Sequence, residues 1–356
     1  MRSLSALTIG VIAVGTASAF APSPVAFSRT KHNGGQSQTT SLNAIGVLAR
    51  KAKEMDVRKY CEGGVEESVL AKVEELKSKL GAVDLMAVEG PGPLQTALTK
   101  RKGTIAVVAE YKRRLADSGF IDEVFDPEQM SPSFREFGAS AVAVMADERM
   151  GGCSYDDLSE FVKEQESARG DMPGPLHVIC SDLMVDEVQI ARSAANDASA
   201  VLLNVGALGG MERTEPLMKA AAALGMESIV TVSTPEEAQA AVQAGARILL
   251  VSNIGDPDEK RAIVDGVPDN VCTIASISMR SDNELEEIEE AWILRDKGFN
   301  AVWVADALYK FGADANEHPG AIIKSMGAKS SVKWATPKAQ SGKGEGSREY
   351  LGDIMM

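Results

Sequence analysis

Short β-branched runs recur along this chain from Thr104 onward, and that recurrence limits the fold more than any other feature. The runs fall at 104–109, 141–145, 177–180, 199–204, 228–232, 247–252, 271–275 and 301–304. Between them lie amphipathic stretches with alanine-rich faces at 155–166, 185–195, 215–224, 235–244, 283–297 and 316–326, whose apolar spacing is helical. Thr234, Pro235, Glu236 and Glu237 read as an N-cap, a proline at the first helical position and acids in the first turn, where the helix dipole favours them. Gly225, Gly245 and Gly298 each precede the next β run, as helix-stopping glycines do. Eight strand-helix units predict an α/β fold, the (β/α)8 barrel, over 104–328. A doubly wound open sheet would more often show five or six strands and a glycine-rich first turn.

The segments outside that repeat have other compositions. Arg2, an apolar stretch from Leu4 to Val14 and the small residues Ala17, Ser18 and Ala19 form a signal-peptide pattern over 1–19. The following 20–43 is rich in Ser, Thr, Gln and Gly, carries Arg29 and Lys31, and no acidic residue precedes Glu54. That is transit-peptide composition. Joined through Ala19, Phe20, Ala21 and Pro22, the two resemble the bipartite presequences of algae with complex plastids, such as diatoms, which implies delivery to the plastid stroma. A helical extension is expected over 44–103, with its best periodicity at 66–80 and 93–100, covering the barrel's N-terminal mouth or flank. At the other end, 329–346 is polar and rich in Gly, Ser and Lys, which reads as a linker. The apolar-bearing segment from Ser347 to Met356 reads either as a docking peptide for a plastid protein partner or as a strand or turn folded back on the barrel.

Charge narrows the partners. Removing Arg2, Arg29 and Lys31 with the leader would take the formal charge from −14 to −17, which disfavours nucleic acid and anionic membrane. No membrane span is expected once the leader is gone. Cys61, Cys153, Cys180 and Cys272 lack zinc-ligand spacing and read as buried thiols. With His177 and His318 alone beyond the leader, neither a histidine triad nor a histidine metal site is expected. No cofactor is implied.

In a (β/α)8 barrel the chemistry lies at the C-terminal ends of the strands. Read in order, those ends offer Glu110 and Lys112, then Asp147 and Glu148, Ser181 and Asp182, Asn204, Thr231, Ser252 and Asn253, Ser276 and Ser278, and Asp306. Only the first strand end brings an acid and a base together, two residues apart on one face. The rest of the ring is neutral or acidic. Its carboxylates Asp147, Glu148, Asp182 and Asp306 raise a further reading, a ring for a hard cation, against the commoner one of a solvated rim.

Five residues from Ala109 to Arg113, with the Ser154 to Leu158, Val188 to Ile190, Val201 to Leu203, Leu224 to Met226 and Ala244 to Arg247 stretches, resemble the indole-3-glycerol phosphate synthase family. The resemblance covers about 104–310 and implies a decarboxylating ring closure followed by dehydration of a carboxyphenylamino-deoxyribulose phosphate. It implies that Glu110 and Lys112 are retained catalytic positions, Lys112 meeting the substrate carboxylate or acting as an acid. The family's strand-three lysine, its general acid, falls on Ser181. Its strand-five glutamate, the general base, falls on Thr231, and its strand-six asparagine on Ser252, with Asn253 alongside. Its strand-seven Glu-Ser-Gly becomes Ser276, Ile277 and Ser278, and its strand-eight Gly-Ser becomes Ala305 and Asp306. The last two segments hold phosphate in the family, so Asp306 puts a carboxylate where a dianion should sit. Even the Ser-Pro-Ser after strand one becomes Leu115, Ala116, Asp117 and Ser118. General acid-base groups are worth about 10²–10⁴-fold each. The expectation is therefore a family member whose reaction is lost and whose barrel serves as a scaffold or binding body. The alternative is an active, divergent synthase working with Lys112 and Glu110.

Overall fold

Eight strands close into an all-parallel barrel: β1 Ala106–Tyr111, β2 Ala141–Val144, β3 His177–Cys180, β4 Ala200–Asn204, β5 Glu227–Val232, β6 Ile248–Val251, β7 Cys272–Ile277 and β8 Ala301–Val304. Each pairs with the next, and the ring shuts where Ala106 of β1 meets Ala301 of β8. The computed structural model describes residues 37–100, 103–115, 119–120, 126–252, 254–277, 286–309 and 320–328. The leader up to residue 36, Asn253, Ser278 and the tail from 329, with the proposed docking segment 347–356, lie outside the described residues.

The barrel expected from the β repeat is the fold observed, with shifted edges. β1 runs two residues further than its sequence pattern, so Glu110 is part of the strand, because an inward-facing position in a closed ladder overrides the poor strand propensity of a charged residue. Helices α4 Pro127–Glu136 and α10 Pro257–Ile263 were hidden by their prolines. Pro127 and Pro257 occupy first-turn positions where no hydrogen bond is lost, whereas Pro132 interrupts the pattern of α4. The other outer helices are α5 Tyr155–Ser167, α6 Glu187–Ala195, α7 Val205–Leu208, α8 Met211–Ala223, α9 Pro235–Gln243, α11 Glu286–Asp296 and α12 Gly320–Met326. Helix α8 starts ahead of Pro216, four residues earlier than the pattern implies. Thr234 caps α9 as expected, accepting from the Glu237 amide.

The N-terminal extension does two different things. Helix α1 Ser37–Gly63, which begins inside the expected transit segment, reaches the C-terminal face of the barrel, while α2 Glu67–Lys79 packs against α6 on the flank. Helix α3 Pro93–Leu98 stoppers the other end, with Leu94 and Leu98 fully buried against Ala106, Val108, Ala141, Ile179 and Ile229 in the lumen. Glu227, the first residue of β5, holds the start of α3 by accepting from the amides of Leu94 at 2.6 Å and Gln95 at 3.1 Å. A Cβ at 92 would lie 2.3 Å from the Glu227 carboxylate, so a larger residue there would have to displace that side chain from the start of α3. Among the described residues no helix is long and apolar enough to cross a membrane. Truncating Leu98→Ala should cost about 2–5 kcal/mol in urea unfolding, the range for a large-to-small change in a close-packed core. A change below 0.5 kcal/mol would mean that α3 is not a stopper of the lumen.

Candidate active site at the barrel mouth

Alternation along each strand assigns every side chain to the lumen or to the helix layer. In β1, Glu110 and Lys112 follow Ala106 and Val108 of the inner cluster, so both point into the mouth. Tyr111 belongs to the outer cluster and its ring lies 4.6 Å from that of Phe161 on α5. Arg113 donates to the Tyr111 hydroxyl at 2.8 Å and pairs with Asp157 at 2.8 Å, the residue that completes the capping box of α5 with Ser154. Half of the first-strand motif therefore faces the mouth and half packs into the helix layer.

Glu110 is buried, and the Ser181 hydroxyl at the end of β3 donates to it at 2.7 Å. The Trp303 side chain on β8 is a second hydrogen-bond partner. Burial raises the Glu110 pKa above its ordinary range, although Lys112, Ser181 and Trp303 pull against it. Lys112 forms an ion pair with Asp306, one residue beyond Ala305, which packs against the inner cluster. Burial lowers the Lys112 pKa while Glu110 counteracts it. Tyr309 locks the backbone beneath, donating to the Glu110 carbonyl at 2.8 Å and accepting from the Lys112 amide at 3.2 Å.

Three of the four carboxylates offered as a cation ring, Asp147, Asp182 and Asp306, are held by lysines. Lys53, from α1, places its ammonium 2.8 Å from Asp147 and 2.5 Å from Asp182. Asp182 also accepts from Tyr155 at 3.2 Å and Gln189 at 2.9 Å, and Asp147 accepts from the amides of Arg149 and Met150. Glu148 is exposed, and among the described residues no cluster of three or more His, Cys, Asp or Glu is grouped for a metal. Burial opposes the charge on Lys53, but Asp182 and Asp147 outweigh it and raise its pKa. Burial likewise pushes Asp147 up, yet the Lys53 hydrogen bond and the loop amides leave it lowered. Asp182 is raised by burial, against the pull of Lys53. Around this triad Arg50 donates to the Leu208 carbonyl at 2.7 Å, Arg149 pairs with Asp56 at 2.8 Å, and the Arg192 guanidinium lies over both Tyr60 and Tyr155.

Two other expectations change. Ile277 packs in the outer cluster, so its side chain does not face the mouth; Ser276 is the inward residue of that strand end. Its carbonyl is gripped at 2.5 Å by the fully buried Lys260, which also pairs with Glu290. Cys61 is exposed, whereas Cys153, Cys180 and Cys272 are buried and burial pushes their thiols up to about 12. Ser252, Ser276 and Asn204 follow inner-cluster residues and stand half-buried at the mouth. Thr231 does the same on β5 but is buried, and its hydroxyl has no hydrogen-bond partner among the described residues. Lys53 is a mouth residue that the strand ends do not announce: their excess of acids over Lys112 calls for a further cation, but nothing in the sequence says which one.

Residues 59–315 match the family model described as indole-3-glycerol phosphate synthase. The indole-3-glycerol phosphate synthase of Micrococcus luteus is 31% identical over 269 residues, covering 73% of this chain and 94% of that protein. That of Mycolicibacterium gilvum is 32% identical over 228 residues, covering 62% and 79%, and that of Mycobacterium avium 30% identical over 261 residues, covering 70% and 87%.

The lysine-carboxylate triad generates a pH signature. The Asp147 contribution is present above its unfolded pKa and is lost as pH falls through its lowered folded value. The Lys53 contribution is present below its unfolded pKa and is lost as pH rises through its raised value, so the contact is intact across the neutral range. Lys53→Met leaves Asp182 buried without its cation and should cost about 3–5 kcal/mol at neutral pH. Because the Asp182 pKa then rises further above its unfolded value, the folded state binds the extra proton and the loss should grow from pH 5 to pH 8. A pH-independent loss in chemical denaturation would show that Asp182 is not the residue stranded.

Proposed function

We propose that this chain, which belongs to the indole-3-glycerol phosphate synthase family, no longer performs the family's decarboxylating ring closure and instead serves as a binding or scaffold barrel. The observation that carries the reading is the Lys112–Asp306 ion pair. The amine retained from the family's first strand is spent on a carboxylate that stands at the family's phosphate position. An incoming phosphate dianion would have to displace Asp306 and then face it.

Two further features support it. At the general-acid position Ser181 donates a neutral hydrogen bond to Glu110, and a hydroxyl supplies neither the charge nor the acidity of an ammonium. At the general-base position Thr231 has no proton-accepting group of useful basicity. The same proposal takes the barrel to act in the plastid, supported by the signal-peptide and transit-peptide composition of 1–43, and takes the apolar-bearing segment 347–356 as its docking peptide for a protein partner.

One observation favours a second reading. The Lys53 ammonium sits 2.5 Å from Asp182, next in sequence to Ser181, so an amine has entered the mouth from α1 close to where the family's strand-three lysine projects. In that reading Lys53 is the acid, Glu110 the base, and the chain is an active, divergent synthase.

Expressing the full-length chain in a tryptophan auxotroph that lacks the synthase separates the two. The expected outcome is no rescue, and a purified-protein rate on the order of 10⁴-fold or more below that of an active synthase, the combined weight of a missing acid and base. Rescue that Lys53→Met abolishes, in a variant whose circular dichroism shows it still folded, would establish the second reading. Rescue that survives it but depends on Lys112 would show that the Asp306 pair opens for substrate.

A further inference from the structure

The mouth is neutral on one side and charged on the other. Five consecutive strands, β3 to β7, present Ser181, Asn204, Thr231, Ser252 and Ser276 at their inward C-terminal positions. Four are hydroxyls and one is an amide. The charged strand-end residues lie on the other side, Glu110 and Lys112 on β1 and Asp306 after β8, with the Lys53, Asp147 and Asp182 triad on α1 and the loops. Both amines are already paired with carboxylates, Lys112 with Asp306 and Lys53 with Asp147 and Asp182, so neither stands open to an incoming anion.

Within the arc, Thr231 is only 3% exposed, yet its Oγ1 has no partner among the described residues. An isosteric valine would avoid the cost of burying an unpaired hydroxyl. The neighbouring Asn204 is already oriented, its Oδ1 accepting from the Ala207 amide at 2.9 Å. Ser181 donates its proton to Glu110 and keeps lone pairs that can accept. A hydroxyl both donates and accepts, and so does its natural complement, another hydroxyl; a phosphate oxygen only accepts.

We propose that this arc binds a small, uncharged polyhydroxy ligand, a polyol or aldose without phosphate, with Thr231 as its innermost contact. The proposal rests on the reading that the family's phosphate site is gone, and it names the ligand class that the remodelled mouth would take.

Titration of the full-length protein by calorimetry with ribitol, D-ribose and ribose 5-phosphate tests it. The expected result is saturable binding of ribitol or ribose, with the 5-phosphate bound about tenfold more weakly or worse, and an about tenfold loss on Thr231→Val, the weight of one hydrogen bond. Ser252→Ala, at the half-buried rim, should weaken the same ligand without disturbing the core, so the test survives should the Thr231 variant misfold. No binding of either unphosphorylated probe, or unchanged affinity in both variants, overturns this proposal while leaving an inactive synthase inactive. Tighter binding of the 5-phosphate overturns it together with the lost phosphate site.

Discussion

Closure of eight parallel strands fixes the parity of every residue at the mouth, and the rest of the structure depends on it. Once Ala106 and Val108 face the lumen, Glu110 and Lys112 must follow them, and Tyr111 and Arg113 must point into the helix layer. The same rule sets Ser181 inward and Cys180 outward on β3, and Ser276 inward and Ile277 outward on β7. A substitution at an inward end alters chemistry. One at an outward end alters packing against a helix.

Charges in such a lumen require local partners, because removing an ion from water costs several kcal/mol unless another group replaces the solvent. In a barrel that binds an anionic substrate, part of that compensation comes from the ligand. Here the chain supplies it internally: Asp306 answers Lys112, Asp147 and Asp182 answer Lys53, and Ser181 and Trp303 hydrogen-bond to Glu110. The charge pattern is satisfied by the protein itself, and a phosphate ester would have to break these contacts before making its own.

Much of the scaffold was legible in the sequence because each strand is a β-branched run between helix signals, and strands β3 and β8 matched their runs to the residue. Helices α4 and α10 were obscured by proline, which reads as a breaker unless its place in the first turn is known. The retained pair, Glu110 and Lys112, could be read from its spacing of two. Ser276 could be read as a strand end, whereas Ile277 entered only through the family resemblance, and its side chain packs in the outer cluster. Lys53 was not legible at all, since it lies 94 residues before Asp147 and reaches it only because α1 crosses to the C-terminal face. The unpartnered hydroxyl of Thr231 has no sequence signature: it is a property of what surrounds it.

Everything above turns on Lys112 being committed to Asp306. A double-mutant cycle built from Lys112→Met, Asp306→Asn and the combined variant, with unfolding free energy as the readout, measures that commitment directly. A committed pair gives a favourable coupling of about 0.5–3 kcal/mol, as for side chains in contact, that persists in high salt because both partners are largely buried. A coupling indistinguishable from zero would show that the two charges stand apart in solution, leaving Lys112 available to a substrate.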